Sequence, residues 1–300
     1  MDQPLRIGIV GPGKVGTAWA LLAEGAKMRV QTICARTEAA ARQAARKLRQ
    51  DPPPRLTPDA LADCQVVLLC VRDDQIEPTC RQLADDGHLA PGSILAHCSG
   101  SLGSDALAPA AEIGLSTASI HPLQTFPDVE SAARRLPGSF VFCEGDSAAL
   151  LTLEPMLRQM GTIAVRIDPA GKALYHAAAV MACNYLTGLF DAALALAGQA
   201  GIHRDTAARA LGPLVQATVA NVLADGPVRA LTGPVARGDA GTIRRHLQAL
   251  QDRDEDLLDL YRAAGLWTLR VARSKAAAET VQLDEVESLL RNYQDPQHGC

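Results

Sequence analysis

Short, continuously apolar runs recur through the first half of the chain: "RIGIV", "VQTICA", "QVVLLCV", "SILAHCS", "STASIH", "FVFCEG" and "TIAVRI". Runs that are apolar throughout, rather than alternating, mark strands covered on both faces, as in a mostly parallel sheet. Between them, "TEAAARQAARKLRQ" has a helical period. "DPPPRLTPDALADC" reads as a loop entering a further helix, with Thr57 as N-cap and Pro58 at the first helical position. Strands alternating with helices predict a doubly wound α/β domain.

After "RID" the texture changes, and no strand pattern follows. Helices are expected near 172–200, 204–224, 240–262, 263–279 and 283–292, separated by Gly/Pro punctuation such as "ADGPVRALTGPVARGD". The chain therefore divides into an α/β domain over 1–167 and an all-α domain over 168–300. The first helix of the second domain opens on "GKALYHAAAVMACNYLTGL", a stretch suited to burial that still carries Lys172, His176 and Asn184. Lys172 and His176 lie one turn apart on one helix face, with Asn184 two turns further on. One broad face shows all three to a cleft if this helix packs against the first domain. Asn184 and Asp191 interrupt the apolar run before the ~20 residues a membrane span needs, so the expectation is a buried helix and no membrane.

Composition narrows the partner more than the fold. With 300 residues, 48% hydrophobic and 21% charged, the chain exceeds the usual single core. A formal net charge of -4 disfavours nucleic acid and anionic membrane, which draw a basic excess, and favours a small molecule. The eight cysteines show no C-x-x-C pair and no Cys/His ligand spacing, so no metal is expected. Most sit in apolar runs, where a reduced thiol is a small hydrophobe; with an N-terminus that enters a strand pattern at once, this points to the cytoplasm.

In "RIGIVGPGKVGTAWALL", Gly11, Gly13 and Gly16 follow a strand and open a helix. Gly11 suits the tight turn, Gly13 the approach of a pyrophosphate to backbone, and Gly16 close helix–sheet packing, with the phosphates at the helix N-terminus. This is the dinucleotide-binding context of a Rossmann-like domain. Pro12, Lys14 and Val15 complete the loop. The second strand ends in Arg36 and Thr37, where an NAD site usually places an acid; a cation and a hydroxyl suit the 2'-phosphate of NADP. The alternative leaves Arg36 solvated and gives the ribose to Glu38.

Ligands in open parallel sheets bind beyond the carboxyl ends of the strands. Three such ends are polar here. "VVLLCVRDDQI" brings Val71, Arg72 and Asp73; "SILAHCSGSLG" brings His97, Ser99 and Ser101; "STASIHPLQTF" brings His121 and Gln124. Val71, Arg72 and Ser99 are expected at the cofactor, Ser101 and Gln124 at the substrate, and the Gly/Ser turn offers N–H groups to an anion. His121, at a strand tip and fixed by Pro122, is the candidate proton-transfer group, because imidazole ordinarily titrates near neutrality. His97, one step earlier in its strand, is read as structural. In the helical domain "LTGPVARGDAGTIRRH" forms a shaped loop ending in Asp239 as N-cap, with Arg237 placed to hold an acidic substrate or cross a dimer interface.

Together "GIVGPGKVGTA", "HCSGSLG", "HPLQTF", "KALYHAAAVMACNYL" and "LTGPVARGD" resemble the NADP-dependent oxidoreductases that join a Rossmann-like domain to a helical C-terminal domain of unknown function. The resemblance covers nearly the whole chain. It implies a fold like that of pyrroline-5-carboxylate reductase and the 6-phosphogluconate dehydrogenase superfamily, a homodimer through the helical domain, and no particular substrate. "HPLQTF" is similar to the His-Pro loop of prephenate dehydrogenases, whose histidine binds the reacting hydroxyl, which implies that role for His121. The Lys172 helix is similar to the Lys/Asn helix of hydroxyacid dehydrogenases and ketopantoate reductase, which implies catalytic places for Lys172, His176 and Asn184. No Thr-rich proline-binding loop is present, and the Gly/Ser turn lacks the lysine usual in prephenate dehydrogenases. The expected function is thus hydride transfer between NADP and a small, acidic carbonyl, alcohol or imine substrate, with a non-catalytic NADP(H)-binding redox sensor as the competing reading.

Overall fold

The computed structural model describes residues 3–50, 53–251, 253–275 and 280–292. Its seven strands match the seven apolar runs, two of them extending one residue beyond: β1 (Arg6–Val10), β2 (Arg29–Cys34), β3 (Val66–Leu69), β4 (Ile94–His97), β5 (Ser116–Pro122), β6 (Phe140–Gly145) and β7 (Ile163–Arg166). They form one sheet in the order β2-β1-β3-β4-β5-β6-β7. All neighbours are parallel except β5 and β6. The strand order reverses about β1, so the crevice between the ends of β1 and β3 is the topological switch point where such sheets take ligands.

Both faces of the sheet are covered, which is why the strands are apolar throughout. Ile7, Ile9, Val66, Leu68, Ile94 and Ala96 belong to one core with Trp19, Leu153 and Leu157. The intervening Val10, Val67, Leu69 and Leu95 belong to a second core with Leu61, Ile76 and Cys80. The helices supplying these layers are α1 (Lys14–Gly25), α2 (Glu38–Ala45), α3 (Ile76–Asp85), α4 (Ala108–Glu112), α5 (Val129–Arg135) and α6 (Ser147–Gln159). The helix expected after Thr57 is a 3-10 helix, Pro58–Asp63, with Pro58 in its first turn and no cap bond from Thr57. The Thr57 carbonyl instead accepts a bond from the buried Thr32 hydroxyl, tying this loop to β2.

The remaining elements are α7 (Lys172–Gln199), α8 (Arg204–Ala230), α9 (Ala240–Gln251), α10 (Glu255–Lys275) and α11 (Thr280–Asn292). The expected end of the fourth helix, at 279, lies outside the described residues. A kink breaks α8 at Gly226, whose φ is +78° ahead of Pro227. Ile243, Leu247, Leu258, Leu269, Val286 and Leu290 form the core of α9–α11. By internal contacts the chain forms two compact units, Met1–Asn184 and Tyr185–Cys300.

The expectation of a buried first helix is corrected. α7 runs unbroken through Asn184 and Asp191, and the segment Pro169–Gln199 is long and apolar enough to cross a membrane by length and composition. Almost none of its apolar stretch is buried within the chain. Leu174, Met181, Tyr185 and Leu189 are exposed on α7, as are Leu214, Val219, Val222 and Leu223 on α8. Asn184 is exposed as well, so it is not a satisfied core amide.

Candidate active site

Strand register builds the site row by row. His97 of β4 stands beside Ser119 of β5, and Ser119 stands opposite Glu144 of β6; one pleat further, His121 stands opposite Phe142. Because β6 runs antiparallel, its Phe142 and Glu144 come up beside the carboxyl end of β5. Alternation then puts Ser119 and His121 on the same face.

The inner row is a buried polar cluster. Lys172, only 2% exposed, enters from the first turn of α7, with its Nζ 3.1 Å from Glu144 Oε1 and bonded to Ser119 Oγ. Glu144 also accepts from the Ser104 amide and hydroxyl, at 2.9 and 2.8 Å. Burial pulls the Lys172 ammonium below its ordinary value, against the opposing pull of Glu144. Lys172 is therefore a buried ion-pair partner rather than a solvated first-turn cation. His97 is structural, as expected: Nε2 meets the Gly103 carbonyl at 2.9 Å, Nδ1 accepts from the Ser99 amide at 3.1 Å, and burial lowers its pKa.

The outer row holds His121, the candidate proton-transfer residue. Tyr175 and His176, three and four residues after Lys172, share its helix face and meet His121. The Tyr175 hydroxyl lies 2.8 Å from His121 Nδ1, and the Tyr175 ring rests 4.4 Å from that of Phe142. The His121 and His176 rings meet edge to face at 5.8 Å. Beneath both runs Gly100, where a Cβ would stand 2.4 Å from His176 Cδ2 and 2.8 Å from His121 Nε2. Desolvation first, then the charges of His176 and Lys172, opposed by Asp73, bring His121 down to about 4. The imidazole expected to titrate near neutrality is thus a neutral ring at physiological pH. Burial pushes the Tyr175 phenol up to about 12.

The Gly/Ser turn also differs from expectation. Ser99 Oγ accepts from the Ser101 and Leu102 amides at 3.2 and 3.0 Å, so these two N–H groups are satisfied within the turn. The Ser99 and Ser101 hydroxyls both donate to Asp73 Oδ2 at 2.8 Å. Gln124 is held by Ser139 and by the Thr125 amide. Arg237 is exposed in the other unit, where Asp239 caps α9 through the Thr242 amide at 2.9 Å.

At the switch point the chain fits a dinucleotide. Gly11 takes φ +86° with Val71 and Cys70 against it, and a Cβ on Gly16 would meet the Gly11 carbonyl at 2.5 Å. A Cβ on Gly13 would meet nothing within 4 Å, and no side chain caps α1, which leaves its first-turn N–H groups to phosphate oxygens. Pro12 is tied to the helix by the Thr17 hydroxyl at 3.0 Å, while Lys14 at the first turn is exposed and Val15 packs on the core. Beyond β2, Arg36 is exposed, Thr37 caps α2 through the Ala40 amide, and Glu38 is ion-paired with Arg42. Arg72 is exposed and pairs with Asp74 at 3.2 Å.

Sequence reasoning missed Tyr175 and Glu144. Glu144 left a signal: it is the acid in the apolar run "FVFCEG", as Lys172 is the base in an apolar helix, and each needs a partner. Tyr175 left none, since an aromatic residue at that spacing reads as core.

Residues 1–122 match the family described as "Rossmann-like domain", and residues 139–268 match "Domain of unknown function (DUF2520)". No curated protein matches the chain. Among solved structures it is similar to protein TM1727 from Thermotoga maritima, at 23% identity over 90% of this chain and 99% of that one, with a TM-score of 0.66. It is also similar to the Streptomyces aurantiacus imine reductase, at 20% identity over 95% and 99% with a TM-score of 0.57. Plasmodium falciparum pyrroline carboxylate reductase with NADP bound gives 10% identity over 95% and 98%, with a TM-score of 0.53. These likenesses are ones of fold. The chain thus joins a region that matches a Rossmann-like domain to one that matches DUF2520.

Proposed function

We propose that the protein is an NADP-dependent oxidoreductase acting on a small carbonyl, alcohol or imine substrate. The observation that carries the reading is His121, poised at the carboxyl end of the sheet whose switch point fits a dinucleotide, with Nδ1 engaged by Tyr175 and Nε2 on the side of Gly100. The bound nicotinamide supplies or accepts the hydride. The chain's part is to hold the pyrophosphate at the α1 N-terminus, place Arg36 at the 2'-phosphate, and manage a proton at His121 Nε2. His176 meets the His121 ring beside the same Gly100. Lys172 and the Ser101 and Leu102 amides are engaged within the chain, so the reading rests on the reacting carbon. Similar folds in an imine reductase and in an NADP-bound pyrroline carboxylate reductase support it. The test is a metabolite screen for change in nicotinamide absorbance with both cofactors. Tight NADPH binding without turnover of any carbonyl or imine would favour a redox sensor instead.

Cofactor choice gives a separate expectation. Arg36→Ala should weaken NADPH binding by about 1.5–3 kcal/mol, the worth of a charge-assisted hydrogen bond, and leave NADH binding nearly unchanged. Fluorescence titration of both cofactors checks it, and equal affinities in the unaltered protein would sink the assignment.

The working form is a homodimer through α7 and α8. Their exposed leucines, valines and methionine form more apolar surface than a monomer usually leaves to water, and a second copy of the same helices is the partner that matches it. Light scattering at low concentration should give twice the 31.6 kDa of one chain. A stable monomer, or a protein that sediments with lipid, would show the idea to be wrong.

A further inference from the structure

His121 rests as a neutral ring, so it holds a single N–H, and the geometry around Nδ1 bears on which nitrogen carries it. A phenol is a stronger donor than acceptor. Among the described residues His121 Nδ1 is the acceptor within reach of the Tyr175 hydroxyl, at 2.8 Å. With Tyr175 donating to Nδ1, the ring proton sits on Nε2, the nitrogen on the side of Gly100 and His176. The Tyr175 ring is braced against Phe142, which keeps the hydroxyl aimed.

We propose that Tyr175 is the positioning residue that fixes His121 as its Nε2–H tautomer and refills that proton during reduction. This rests on the oxidoreductase reading above. As the substrate oxygen or nitrogen gains its electron pair, the His121 Nε2–H bond breaks and an O–H or N–H bond forms on the substrate. The Tyr175 O–H bond breaks in concert and an Nδ1–H bond forms. His121 changes tautomer without becoming a cation; Nε2 then regains a proton from water as the Nδ1–H returns to the tyrosinate, which restores the starting pair. No group of the chain is oxidised or reduced in the relay. The direction of the shifts fits the resting state of this pair: the ring is a poor cation and the phenol stays protonated across the neutral range. The charged or titratable groups bearing on His121 are Tyr175, His176 and Lys172 from α7 and Asp73 from the segment after β3.

The test uses the full-length protein and the variant Tyr175→Phe, which keeps the ring against Phe142. In ¹⁵N-histidine-labelled protein, His121 should show the Nε2–H tautomer at neutral pH, and Tyr175→Phe should convert it to a mixture with the melting temperature nearly unchanged. An Nδ1–H tautomer in the unaltered protein, or a tautomer indifferent to the variant, overturns the proposal. These spectra need no turnover, so a failed metabolite screen would count against the oxidoreductase reading while the tautomer result stands apart. With a substrate in hand, Tyr175→Phe should lower kcat for reduction by about 10²-fold near pH 8 and progressively less toward pH 5, where the ring begins to protonate directly. An equal loss at every pH would indicate a merely structural role and would also overturn the relay.

Discussion

Replacing His121 by asparagine should lower nicotinamide-linked turnover by about 10²–10⁴-fold, the range for losing a positioned proton-transfer group, and leave NADPH affinity nearly unchanged. Asparagine retains a hydrogen-bonding side chain at the tip of β5 but cannot pass a proton from one end of itself to the other. The pH profile carries the sharper information. His121 sits at about 4, so a mechanism that needed its imidazolium as donor would lose rate tenfold for each unit of pH above that value. A neutral ring refilled through Tyr175 instead keeps reduction level from about pH 5 to about pH 9. Initial rates across that range, on the unaltered protein and on His121→Asn, distinguish the two. Full turnover by His121→Asn would remove His121 from the chemistry altogether.

Lys172→Met should destabilise the fold by about 3–5 kcal/mol, because it leaves the Glu144 carboxylate buried without its cation. The partners are 2% and 1% exposed, so water cannot stand in for the missing charge. Methionine is close to the lysine stem in shape, which keeps a packing defect from accounting for the loss. Adding Glu144→Gln, which removes the orphaned charge while keeping an acceptor for the Ser104 amide, should recover much of it. Chemical denaturation of the two single variants and the double variant measures the coupling. Single losses that simply add would mean that the pair has no special role.

Much of the fold was legible in the chain because both cues were local. Continuous apolar runs located all seven strands, and the glycine spacing located the switch point, since a sheet covered on two faces and a turn under phosphate each impose a requirement on adjacent residues. The site was legible only in part. His121 could be picked out by its place at a strand tip, but its pKa depends on burial and on His176 and Lys172, which reach it from more than fifty residues away. The Gly/Ser turn looked like an anion cradle because the sequence does not reveal that Ser99 folds back onto the amides of its own turn. The apolar α7 helix suggested burial because hydropathy reports a need for cover and not which molecule meets it.

At Gly100 the site depends on an atom that is missing. Two imidazoles from distant parts of the chain close over a backbone position with no side chain, and the smallest addition there would already overlap both rings. The clearance is thus finer than one methyl group. This makes position 100 a mechanical stop: β5 and the start of α7 can approach until the rings bear on bare backbone, and no further. The spacing of His121 and His176 is then gauged by a rigid surface rather than by the balance of soft attractions. A side chain at position 100 would have to displace one ring or the other.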